Sequence, residues 1–104
     1  MYDNLKRSFI EYIREWREVA VRYLPEDAYA ENDFIFTVTY AQFVTVYDGT
    51  DDTGTDKPYW LLQHVGKLSD HVITMYFNTE RELYIWGCNF LVERIRLLRE
   101  RSGV

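Results

Sequence analysis

The spacing of apolar residues changes twice along this chain, and that change limits the folds open to it. From Asp3 to Leu24, the residues Leu5, Phe9, Tyr12, Ile13, Trp16, Ala20, Tyr23 and Leu24 recur at steps of three and four, which places them on one stripe of a helix. From Phe34 the step becomes two: Phe34, Phe36, Val38 and Tyr40 alternate with Ile35, Thr37 and Thr39, as in a strand. After Thr79 the helical step returns through Leu83, Gly87, Phe90, Leu91, Ile95 and Leu98. The expectation is an α+β fold.

Local signals sharpen the boundaries. Asp3 is a capping residue for the first helix, and Pro25 stops it because the residue before a proline is pushed out of the α region. Pairs at i and i+4, Arg7 with Glu11, Arg14 with Glu18 and Glu18 with Arg22, are expected to lace its outer face. Apolar alternation continues past Tyr40 through Val44 and Val46, so residues 34–47 read either as one long bent strand or as two strands. A turn near Ala41 and Gln42 would have no Gly, Pro, Asn or Asp to mark it. Residues 48–57 read as a loop, and Pro58 then opens a run from Tyr59 to Val65. A turn over residues 66–70 leads into His71–Phe77, which makes an antiparallel hairpin. Thr79, Glu80, Arg81 and Glu82 match the capping box that starts a helix. The full expectation is an N-terminal helix, an antiparallel sheet of three or four strands and a C-terminal helix, with both helices on one sheet face and residues 1–104 forming one domain.

Composition agrees with a packed chain and narrows the function classes. Hydrophobic residues make up 47% of the 104 and charged residues 28%, too apolar for intrinsic disorder. A single cysteine, Cys88, excludes an internal disulfide and a zinc site built on paired cysteines. Among its apolar neighbours Cys88 reads as a buried small hydrophobe. No apolar run approaches the roughly 18 residues that cross a bilayer, and the charged start shows no secretory signal, so a cytoplasmic protein without membrane contact is expected.

Charge is segregated. The net charge is −5, but residues 1–24 sum to +1, residues 25–78 to −7 and residues 79–104 to +1. That balance argues against direct nucleic-acid binding, which normally needs a basic patch, and favours a protein partner with a basic surface. Arg94, Arg96, Arg99 and Arg101 complement the end of a helix dipole without invoking a ligand.

No catalytic motif is present. Asp48, Asp51, Asp52 and Asp56 are hard oxygen ligands, yet their spacing fails the EF-hand pattern, so no metal is expected and the loop is assigned to partner contact. His64 and His71 flank the hairpin turn and lack a third ligand or an activated nucleophile, which makes them hydrogen-bonded surface histidines. No cofactor is expected.

The remaining feature is an excess of aromatic residues, nine Tyr, six Phe and three Trp. Both faces of each strand are apolar. If two helices cover one, the other presents Ile35, Phe43, Tyr47, Tyr59 and Tyr76, residue types that favour protein interfaces. The functional expectation is a non-enzymatic protein-interaction module, a homodimer, of the kind that inhibits a nucleic-acid-handling protein in phage anti-defence or toxin neutralisation. The alternative is a small-ligand-binding or enzymatic protein whose aromatics line a pocket near His64 and His71.

Overall fold

A computed structural model describes residues 3–46 and 55–101. Helix α1 spans Asp3–Tyr23 and is followed by two short 3₁₀ turns, Glu26–Ala28 and Glu31–Phe34. Strands β1 (Thr37–Ala41), β2 (Thr45–Val46), β3 (Thr55–Asp56), β4 (Tyr59–Gly66) and β5 (His71–Phe77) come next, and helix α2 spans Glu80–Arg101. Strands β1, β4 and β5 form an antiparallel sheet in the order β1-β4-β5, and β2 and β3 pair as a separate two-stranded ribbon. The fold is α+β, with both helices packed against the sheet strands, as the change of period implies.

The long-strand question resolves into a bulge. Ala41 faces Tyr59, while Val44 and Lys57 exchange backbone hydrogen bonds at 3.0 Å in both directions. Two residues, Gln42 and Phe43, therefore stand opposite one, Pro58, which is the count of a β-bulge. Proline has no amide hydrogen to donate to a ladder, so the interruption falls where the partner strand lacks a donor. Strands β1 and β2 are the two arms of one bent segment, and Phe43 at its elbow is 69% exposed.

One face of the sheet meets the helices. Leu62, His64 and Ile73 point inward and join Phe9, Trp16, Ala20, Leu83, Leu91, Ile95 and Leu98 in burial. On α1 the inward stripe also takes in Val19. Gly87 sets the spacing of the helices: a Cβ there would lie 2.6 Å from Cε1 of Phe9, so the ring occupies space that only glycine leaves. Thr79 accepts the Glu82 amide on its hydroxyl at 3.1 Å, and α2 begins there as the capping signature indicates.

Ion pairs form both between elements and along α2. Among the described residues Arg17 pairs with Glu31, Arg99 with Glu15, and Arg96 with Glu93 and Glu100, in place of the pairs expected within α1. An isolated exposed pair is worth only a few tenths of a kcal/mol, roughly, so packing decides which partners meet. Among the described residues no helix is long and apolar enough to cross a membrane.

Candidate functional site

Strand parity builds two contrasting surfaces. The outward side of the sheet carries Thr37, Thr39 and Ala41 from β1, Tyr59, Leu61, Gln63 and Val65 from β4, and Val72, Thr74 and Tyr76 from β5. None of these side chains is charged. Pairing aligns Thr39, Leu61 and Tyr76 across the three strands, with Thr37, Gln63 and Thr74 in the next row. Tyr59 and Tyr76 meet edge to face, 5.0 Å between ring centres. Val72 is 79% exposed and Tyr76 55%. Ile35, half exposed, continues this side just before β1 and borders a shallow groove of about 290 Å³ with Thr37, Gln63 and Val65.

The structure thus brings Ile35, Tyr59 and Tyr76 to one side of the sheet and leaves Phe43 at the bulge. Tyr47, Asp48, Asp51 and Asp52 lie outside the described residues. Asp56 is exposed on β3 and accepts a hydrogen bond from the Thr45 hydroxyl at 2.9 Å.

The histidines lie on the opposite, inward side, and here the sequence expectation needs correction. His64 is 2% exposed, because it shares the parity of Trp60 and Leu62 and points into the core. Its ring stacks on Phe36 and meets Trp16 and Phe90 at about 6 Å. Its Nδ1 lies 3.1 Å from the Ile35 carbonyl oxygen, which only accepts, so Nδ1 carries the proton. In the neutral ring Nε2 is then an acceptor, and the Ser69 hydroxyl 3.3 Å away donates to it. Burial holds His64 below the usual histidine range, aided by nearby His71 and outweighing the Ile35 carbonyl and Asp33, which act the other way.

Asp33 is the functional-looking residue that sequence reasoning missed. Fully buried, it accepts the Ala30 amide at 2.8 Å and the Leu68 amide at 2.7 Å, clamping the second 3₁₀ turn to the β4–β5 turn. A Cβ on Gly66 would come within 2.7 Å of both Asp33 Oδ1 and His64 Nε2, so glycine leaves this cluster its space. In the same turn Asp70 adopts a positive φ of 52°, which aspartate tolerates better than most residues.

His71 completes the cluster. Its Nδ1 donates to the Ser69 carbonyl at 2.5 Å and its Nε2 accepts from Arg94, 3.1 Å away, since a guanidinium has only donors. The Arg94 guanidinium also lies over the Phe90 ring at 5.0 Å.

Asp33, His64 and Ser69 include the residue types of a hydrolytic triad, but their contacts have a different logic. The carboxylate holds backbone amides, a carbonyl orients the imidazole, and the serine is buried. The groove bordered by His64 and the small cavity bordered by Ser69 are separate. Trp16, Phe36, Phe90 and His64 fill the space between sheet and helices with mutual ring contacts. Cys88 donates weakly to the Leu5 carbonyl, and burial pushes its thiol up, away from nucleophilic use. Among the described residues no three His, Cys, Asp or Glu side chains converge as a metal site would require. No protein-family model matches this chain, and comparisons with curated proteins and with solved structures return no significant match.

Proposed function

We propose that this chain works by protein–protein contact through its three-stranded sheet, whose outward side is uncharged, with self-association as the first form of that contact. The observation that carries this reading is the composition of that side: ten outward positions on three strands hold Thr, Ala, Tyr, Leu, Gln and Val and no charge, in a chain that is 28% charged. A sheet face meant only for water normally carries charged residues in alternation, while an interface core is depleted of them and rich in tyrosine. The −7 charge of residues 25–78 leaves an acidic segment for an outside partner with a basic surface, such as a nucleic-acid-handling protein that this chain would inhibit.

Light scattering coupled to size exclusion tests the reading. The expected mass is twice the 12.6 kDa chain at both low and high salt, because apolar contacts resist screening. Val72→Glu, at the most exposed of the apolar positions, is expected to return the protein to a single chain's mass. A wild-type monomer at micromolar concentration, or a dimer indifferent to this substitution, counts against the reading.

A further inference from the structure

Strand β5 is an edge: among the described residues only β4 pairs with it, so its other side presents backbone amides and carbonyls without a ladder partner. Natural edges are usually protected by a charge, a proline, a bulge or shortness. His71–Phe77 has none of these. It is seven residues long, pairs with β4 in unbroken register, and contains no Asp, Glu, Lys, Arg or Pro.

We infer that two copies of this chain join β5 to β5, antiparallel about a twofold axis at Thr74, into one continuous six-stranded sheet. The inference rests on the proposed self-association and specifies where it occurs.

The register follows from parity. In an antiparallel pair, facing residues point to the same side of the sheet, so a self-pairing must join odd with odd and even with even positions. The twofold at Thr74 pairs all seven residues, and any other allowed register pairs fewer. It sets Val72 against Tyr76 twice on the outward side, with Thr74 against Thr74 between them. On the inward side Ile73 faces Met75. Aromatic with β-branched and threonine with threonine are favourable cross-strand combinations.

Charge selects the occupant. At a net −5 two copies repel each other, and residues 25–78 hold nine acidic against two basic groups. β5 lies within that acidic segment yet brings no like charge across the seam. A neutral strand that is self-complementary under a twofold fits a second copy. The junction would also set the two outward faces side by side as a single apolar platform.

Cysteine placed at Thr74, with Cys88→Ala removing the native thiol, tests the register. Facing Cα atoms in an antiparallel pair are about 4.5 to 5.5 Å apart, inside the range a disulfide spans. Thr74→Cys is therefore expected to form a covalent dimer under mild oxidation, while Thr39→Cys on edge strand β1 does not. Thr74→Lys, which sets two ammonium groups at the axis, is expected to give a monomer with unchanged circular dichroism. Gln63→Lys, on the outward face one strand in from the seam, is expected to remain dimeric. A dimer that Gln63→Lys splits, or that cross-links through Thr39 and not Thr74, overturns the edge junction and leaves self-association standing. A wild-type monomer overturns both.

Discussion

The imidazole of His64 lies flat against the ring of Phe36, with centres 4.2 Å apart and planes 10° from parallel. A buried ring held this way, with one nitrogen donating to a carbonyl and the other accepting from a hydroxyl, is stable as the neutral species. Protonation would bring an uncompensated charge into the core and turn Nε2 from acceptor to donor. The lowered affinity of His64 for its proton means that the unfolded chain binds more protons than the folded one, so stability rises with pH. The contribution is complete above the ordinary histidine value of 6.5 and is lost as pH falls through the lower folded value. Urea midpoints measured across this window are expected to climb and then level off. His64→Leu should remove that slope, and an unchanged slope would assign it to another group.

Asp33 holds together segments that are far apart in sequence. Asp33→Ala leaves the Ala30 and Leu68 amides without their acceptor, and each hydrogen bond to a charged group contributes about 1.5 to 3 kcal/mol. The expected loss by urea unfolding is about 3 kcal/mol or more. Asp33→Asn keeps one acceptor oxygen and is expected to fall between wild type and alanine.

Gly87→Ala tests the approach of the helices. The added methyl would lie 2.6 Å from Cε1 of Phe9, a ring that is itself buried and has little room to move. Overpacking of this kind costs about 1 to 3 kcal/mol, the opposite of the gain alanine brings in an open helix. A stabilised variant would mean that Phe9 has an alternative position.

Cys88 is expected to react slowly. Burial raises its thiol above the ordinary range, so alkylation of the native protein at neutral pH should be well slower than that of free cysteine and should accelerate in denaturant. Equal rates in both states would contradict the burial.

The two helices and the hairpin were legible because their signals are local. The Thr79–Glu82 capping box fixes the start of α2 from four consecutive residues, and alternation separates the inward from the outward side of each strand. The same alternation groups His64 with Trp60 and Leu62, on the side that the helices cover. Asp33 carried no local sign. Its role depends on an amide 35 positions later in the chain, and nothing near an aspartate between Asn32 and Phe34 reports that distance. The ion pairs between elements lack a local sign for the same reason: Arg99 finds Glu15 only after two helices have packed.

The absent amide of Pro58 also acts as an indexing notch. Because Gln42 and Phe43 together face it, the ladder on the β2–β3 side is offset by one residue from the ladder on the β1–β4 side. Were the paired arms to slide past each other by one position, a carbonyl that now has a donor would meet the proline nitrogen, and inward and outward residues would trade places. One imino acid therefore keeps the hairpin in phase, so that the apolar row formed by Thr39, Leu61 and Tyr76 stays aligned on the outside of the sheet.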